Sequence, residues 1–340
     1  MTMLIMMQVL YAREEGDLCG VVLAFKSKRF ECIRNETVVY GDKICCDSIL
    51  SSPGESERGR EGSAVENDDV HQVTEEDGGI AAFLEKCRER REVALLTLLR
   101  EKQSHRLLFV AVTHLFWNPE YPDVKMVQAA TLCAESKRFL ERNSNIKARN
   151  GAKDVRIPSI LMGDFNSLPE YNRSDTSGGS ASQRQQSSIG ASGVYELLTG
   201  KNDLERHPHH PLNWRKSESR IATARSGYDD SNTSMYHKLL SCHGFHLTSG
   251  MKTCLGREPG ATTCTPWFTG CLDYIFYTPK LLACEGYLEI PKDVLLTTNF
   301  GTNDITIDGD ASTEKQYAMP NGVCPSDHLA VGCCFRFLAQ

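Results

Sequence analysis

Four short polar clusters carry the side chains that could do chemistry in this 340-residue chain. They are Thr113-His114, Gly163-Asp164-Phe165-Asn166-Ser167, Asp273 directly after Leu272, and Ser326-Asp327-His328. Each borders a short hydrophobic run, where the edge of a sheet would aim side chains into a common cleft. Aspartates, histidines and an asparagine gathered there suit the hydrolysis of a phosphate ester. Oxygen ligands such as Asp164 and Asp327 would hold Mg²⁺, which neutralises phosphate charge and lowers the pKa of bound water. Asp273 can accept a hydrogen bond from one nitrogen of His328, fixing its tautomer so that the other nitrogen faces the scissile phosphate. Taken singly the motifs say little: Ser-Asp-His is common, His114 at a strand end is more often structural, and Gly-Asp-Phe-Asn reads equally as a turn. The ordered set carries the signal.

The elements that must position these clusters form an alternating pattern. Gly20 to Phe25 and Phe30 to Ile33 look like a hairpin, while Arg106 to Leu115, Ile157 to Met162, Leu272 to Tyr277 and Leu329 to Phe337 read as further strands. Asp123 to Arg142 is the clearest helix, with Val124, Val127, Leu132 and Phe139 in one arc and Asp123 as its N-cap. Ala81 to Arg91 looks helical. Glu92 to Leu99 is assigned as a strand pairing back onto Arg106 to Val112 through a turn at Glu101 to His105. Mixed α/β is the class.

Three stretches read as inserts: 51–79, 171–191 and 205–236. The first holds nine acidic residues against Arg58 and Arg60, a charge of −7 that leaves the rest of a chain of net charge −6 near neutrality. Such compositions bury too little apolar surface to offset their ordering entropy, so loops are expected. The histidine-rich knot from His207 to Pro211 is read as a solvated linker rather than a metal site. A neutral body neither demands nor forbids a polyanionic ligand.

The fourteen cysteines show no C-x-x-C pair, and Met1 to Ala12, though apolar, has no basic region and no small-residue cleavage site. Free thiols in a reducing compartment, cytoplasmic and also nuclear, are therefore expected. No apolar run reaches the roughly 20 residues of a membrane span, so no membrane partner is expected.

The motifs GDFNS, LDYIFY and PSDHLAV resemble the three C-terminal signatures of the endonuclease/exonuclease/phosphatase superfamily. THLFWNPEYPDVKMVQ, IPSILMGDFNSLPE and TPWFTGCLDYIFYTP are similar to its carbon-catabolite-repressor-type deadenylase branch, which lies near the Angel proteins, nocturnin and 2′-phosphodiesterase. The resemblance runs from about Gly16 to Phe337 and implies a two-sheet α/β sandwich of the deoxyribonuclease-I-like type, a single domain over 1–340. It implies a Mg²⁺-dependent site, with Mn²⁺ able to replace Mg²⁺, acting as a 3′-to-5′ exoribonuclease on single-stranded RNA, poly(A) above all, with deadenylase-complex proteins as partners. Asp164 would activate or orient the attacking water, Asn166 would position phosphate, Asp327 would ligate metal together with Asp164, Asp273 and His328 would pair, and His114 would hydrogen-bond the phosphate. Trp117, Pro119 and Glu120 would select substrate, and Phe268 would stack on a base.

Two departures from the family pattern bear on activity. The resemblance leads one to expect an opening strand with an Asn and a strand ending in Leu-Gln-Glu, whose Glu is the principal metal ligand. Neither is present, and Glu14 and Glu15 read as a charged turn with no strand leading into them. The domain is thus expected to be N-terminally truncated and weakly active or inactive. Thr263 stands where deadenylases are expected to carry an Asn. A 2′-phosphodiesterase or nucleotide phosphatase of the same superfamily, and a non-catalytic RNA- or protein-binding remnant, are the alternatives.

Overall fold

The computed structural model describes residues 7–13, 20–44, 83, 85–144, 146, 156–172, 189–200, 204–214, 245–290, 319–320 and 324–339. The acidic stretch 51–79 lies outside them. Strand β1 (Met7–Arg13) pairs antiparallel with β2 (Gly20–Lys26), and β3 (Phe30–Val39) leads into a short helix α1 (Tyr40–Lys43). Then follow β4 (Val93–Glu101), β5 (Leu107–His114), the long helix α2 (Pro122–Arg142) and β6 (Ser159–Asp164). Small elements β7 (Glu170–Asn172), β8 (Ile189–Ala191), α3 (Gly193–Thr199), α4 (Pro211–Trp214), β9 (Thr248–Ser249) and α5 (Gly250–Leu255) come next. The chain continues through β10 (Thr263–Cys264), β11 (Thr269–Gly270), β12 (Asp273–Tyr277), β13 (Leu282–Tyr287) and β14 (Cys333–Phe337).

A six-stranded sheet of order β3-β4-β5-β6-β12-β9 is the frame. Its β5 and β6 are parallel and its other neighbours antiparallel, because α2 carries the chain back between β5 and β6. Pleat alternation sends Phe109, Ala111, Leu161, Tyr274 and Phe276 to one face, where they join Val124, Val127, Leu132 and Phe139 of α2 and Val194, Leu197 and Leu198 of α3 in the main core. Val93, Leu95, Leu99 and Val110 point to the opposite face and pack beneath Val21, Leu23 and Phe25 of β2. Ladder β13–β14 touches the same sheet where Phe335 meets Tyr277, with ring centroids 4.9 Å apart. The expected α/β sandwich is present, and among the described residues its second layer consists of two separate two-stranded ladders.

Several expectations need correction. β2 and β3 follow each other through a tight turn closed by Arg29 N–H donating to Lys26 O at 2.9 Å, but they are not a hairpin: β2 pairs with β1 and β3 with β4. A strand, β1, does lead into Glu14 and Glu15, which are themselves outside the described residues. Asp123 does not cap α2. Tyr121 occupies the N-cap, Pro122 opens the first turn with its preset φ, and Asp123 is fully buried within that turn. Among the described residues, 170–172 pairs with 189–191 at the two ends of the second insert, and the knot at His207 to Pro211 in the third is packed rather than solvated. His209 Nδ1 accepts from Gly193 N–H at 3.2 Å, His207 Nε2 bonds Ala191 O at 2.9 Å, and both rings stack against Tyr171.

Candidate active site

Register places three of the expected groups side by side. His114 ends β5 directly opposite Asp164, which ends β6 and in turn lies opposite Asp273, the first residue of β12. Side chains opposite one another on adjacent strands share a face. The three therefore project together, on the face opposite α2 and α3. His114 Nε2 is 3.6 Å from Asp164 Oδ2. One residue earlier the same ladder sets Gly163 against Thr113, with φ of +140° and so little room that a Cβ would stand 1.9 Å from Thr113 O. Only glycine meets both demands.

His328 comes from outside the sheet. Its segment forms an isolated antiparallel bridge with Thr263, fastened by Leu329 N–H to Thr262 O at 2.7 Å and by Thr263 Oγ1 to Asp327 O at 2.7 Å. That clasp brings His328 Nδ1 to 2.8 Å from Asp273 Oδ2 and leaves Nε2 3.7 Å from Asp164 Oδ2. Thr262 Oγ1 donates to the same Asp273 oxygen at 2.6 Å while accepting the N–H of Leu272 and of Asp273. The hydrogen bond to Asp273 raises the His328 pKa to about 9, against the opposing effect of burial, so its imidazole is cationic at neutral pH. Burial, then the neighbouring Asp273 charge, push the Asp164 carboxyl up to about 6.

Behind this row, Asn166 adopts a left-handed φ of +46° and closes an Asx turn, its N–H donating to Asp164 Oδ1 at 2.7 Å. Its Nδ2 donates to Leu115 O at 2.9 Å and its carbonyl accepts from Lys125 Nζ at 2.6 Å. Asn166 thus spends its amide nitrogen on the loop after β5. Lys125 is buried in the first turns of α2, where desolvation pushes its pKa down to about 8 against the pull of Asp164. Gln128, one turn on, holds Phe116 N–H through Oε1 at 2.8 Å and donates to Glu92 at 2.9 Å. The polar side of α2 therefore ties together both loops that carry the site.

Asp164, Asp273 and His328 each offer one ligand atom, all within 4.8 Å of one another, and form a candidate acidic metal centre. A hard divalent cation suits two adjacent carboxylates whose mutual repulsion is written into the raised Asp164 pKa. His328, with Nδ1 already bound to Asp273, serves as their hydrogen-bond partner. Asp327 stands apart: its side chain is exposed, it is not among the three, and its backbone carbonyl is what the clasp uses. Trp117 is 67% exposed, Pro119 and Glu120 are exposed, and Phe268 is 39% exposed beside the 91% exposed Trp267. Phe268 and Trp267 lie in the turn between β10 and β11, so the hairpin that clasps His328 also presents the aromatics. Lys125, Thr262 and Gln128 were not singled out by the sequence, where a lone threonine gives no signal of its own.

No family model matches the chain. Over 321 residues it is 26% identical to a CCR4-NOT transcription complex subunit 6-like protein of Danio rerio, covering 94% of this chain and 46% of that protein. It is 25% identical to carbon catabolite repressor protein 4 homolog 4 of Arabidopsis thaliana, covering 93% of this chain and 57% of the relative. It is 24% identical to the CCR4-Not complex 3′-5′-exoribonuclease subunit Ccr4 of Schizosaccharomyces pombe, covering 70% and 28%. The chain thus spans about half or less of the length of most of these relatives. Among solved structures, it superposes on the 2′,3′-cyclic phosphatase ANGEL2 with a TM-score of 0.50 at 19% identity, covering 97% of this chain and 75% of the other. These similarities bear out the family resemblance of the motifs and the class of fold.

Proposed function

We propose that this chain, similar to the carbon-catabolite-repressor-type proteins and built on the endonuclease/exonuclease/phosphatase fold, is a divalent-metal-dependent phosphodiesterase acting as a 3′-to-5′ exoribonuclease on single-stranded RNA. The convergence of Asp164, Asp273 and His328 at one strand edge carries this reading. The relatives' printed names supply the reaction class, and poly(A) is the substrate proposed within it.

Mg²⁺ would be held by Asp164 and Asp273 and would supply neutralisation of phosphate charge and a lowered pKa for water. Asp164 would accept the proton of the attacking water. Asp273 fixes the His328 tautomer and keeps the ring cationic, so that Nε2–H donates to a phosphoryl oxygen as negative charge builds there. His114 Nε2, beside Asp164, offers a second contact for the phosphate. Asn166 and Lys125 hold the Asp164 turn in place. Trp117, Pro119 and Phe268 would receive the nucleobases, where a stacking face contributes about 1–3 kcal/mol per base. Cytoplasmic and nuclear RNA decay and association with deadenylase-complex proteins complete the reading.

Incubation of a 5′-labelled oligo(A) RNA with the protein tests it. Mg²⁺-dependent shortening with release of 5′-AMP is expected, lost on chelation and in Asp164→Ala and His328→Ala. A second substrate reading is favoured by Thr263, whose hydroxyl proton is engaged by Asp327 O and so is no donor to a base. A 2′,5′-linked oligoadenylate and a nucleoside 2′,3′-cyclic phosphate run in parallel decide between them. Absence of metal-dependent hydrolysis on all three leaves the non-catalytic remnant, which calorimetric titration with Mg²⁺ would then characterise.

A further inference from the structure

Away from this centre, three cysteines from separate elements meet beneath α5. β13 carries a bulge at Glu285, so Cys284 pairs with Phe335 while Gly286 pairs with Cys334. An extra residue re-aims the strand side chains around it. Here Cys284 Sγ stands 3.4 Å from Cys254 Sγ of α5, close to the carbonyls of Gly250 and Gly286. Cys333 of β14 lies under the first turn of the same helix, so near that a Cβ on Gly250 would meet its Sγ at 2.6 Å. The three sulfurs do not form a cluster tight enough to hold a metal among the described residues.

A disulfide needs sulfurs about 2.05 Å apart, so Cys254 and Cys284 require an approach of only ~1.4 Å. The helix that carries Cys254 is short, capped by Ser249 at its start and by a left-handed Gly256 directly after Leu255, so Cys254 sits in its last turn. Cys254 and Cys284 are both half-buried, open enough for a small oxidant. We propose that Cys254 and Cys284 are an oxidation site that closes to a disulfide on exposure to a peroxide, fastening α5 to β13. Cys254 sulfur attacks the peroxide O–O bond, becoming a sulfenic acid and releasing water. Cys284 sulfur then attacks the Cys254 sulfur, the S–S bond forms as the S–O bond breaks, and a second water leaves with the Cys284 proton. Two thiols are oxidised for each hydrogen peroxide reduced to two waters. Burial and its hydrogen bond with Cys254 hold the Cys284 thiol up at about 11, which leaves the first attack to Cys254. The inference stands apart from the phosphodiesterase reading, since none of its residues belongs to that centre.

The test is peptide mapping of the whole folded protein after brief hydrogen peroxide treatment, quenching and alkylation without reduction. The expected product is a peptide pair joined through Cys254 and Cys284, lighter by two hydrogens, with both residues losing alkylation together and both recovering it after dithiothreitol. Cys333→Ser retains the link, and Cys254→Ser and Cys284→Ser each abolish it, circular dichroism serving to check folding of all three. A Cys284–Cys333 link, Cys254 halted at sulfinic acid, or full alkylation of Cys254 and Cys284 in wild-type protein after treatment overturns the proposal.

Discussion

A single oxygen, Asp273 Oδ2, accepts the Thr262 hydroxyl at 2.6 Å and the His328 ring at 2.8 Å, and that shared acceptor governs the proton on the imidazole. An NMR titration of the metal-free protein should find His328 titrating near 9, and Asp273→Asn should lower that value by about 1–3 units. The sign for stability follows. Because the folded pKa is raised above the ordinary 6.5, the pair's contribution is complete below 6.5 and is lost as pH climbs through about 9. The gap in thermal midpoint between wild type and Asp273→Asn should therefore narrow over that interval. Lys125→Met, which releases Asn166 O, should lower kcat by roughly 10- to 100-fold with little change in KM, as expected when a turn bearing a reacting group drifts. Steady-state kinetics on the hydrolysed substrate, with Lys125→Arg as partial rescue, checks this. Asp164, Asp273, His114 and His328 were legible because polar residues at strand ends are conspicuous. Lys125 was not, since a lysine inside an amphipathic helix reads as solvated face until tertiary packing covers it. Asp327 is legible in the same way, and what its segment contributes to the clasp is its backbone carbonyl, which accepts from the Thr263 hydroxyl.

Strand positions were legible at the level of elements, but partners were not. β4, β5, β6 and β12 fall close to their expected spans, whereas adjacency of β2 and β3 in sequence suggested a hairpin that the structure replaces with pairings to β1 and β4. The alternating burial of β2 explains why: its inward residues pack on Val93, Leu95 and Val110 across the gap between layers, a contact invisible to local patterning. Helix α2 was found, yet its buried surface far exceeds the single arc of Val124, Val127, Leu132 and Phe139, because α3, α4 and the sheet enclose it. His207 and His209 fill the space beside Gly193 of α3 and Met126 of α2, and His210 is buried as well, a packing role that composition cannot distinguish from a linker. At this scale Gly163→Ala is the informative variant. Its Cβ would collide with Thr113 O, so a loss of about 3 kcal/mol in unfolding free energy is expected from urea denaturation, with activity falling in the residual folded protein.

For the molecule as a whole, the metal centre proposed for the paired carboxylates would make folding and cation binding one equilibrium. Asp164 has a folded pKa raised from 3.8 to about 6, so its favourable contribution is complete below 3.8 and is lost as pH rises through about 6. A bound dication compensates for that loss. Thermal denaturation should therefore show a larger stabilisation by Mg²⁺ at pH 7.5 than at pH 5, and almost none in Asp164→Asn. Where charge lies along the chain is legible in the sequence, and the acidic stretch 51–79 lies outside the described residues. Among those residues no helix is long and apolar enough to cross a membrane. The centre also divides mechanically. Asp164 and Asp273 stand on a laddered sheet, whereas His328 hangs from a few hydrogen bonds to Thr262, Thr263 and Cys264. Such a fastening can come undone on its own, disarming the imidazole while every strand stays paired, and the amide of Leu329 should then trade its proton for deuterium far sooner than that of Leu161.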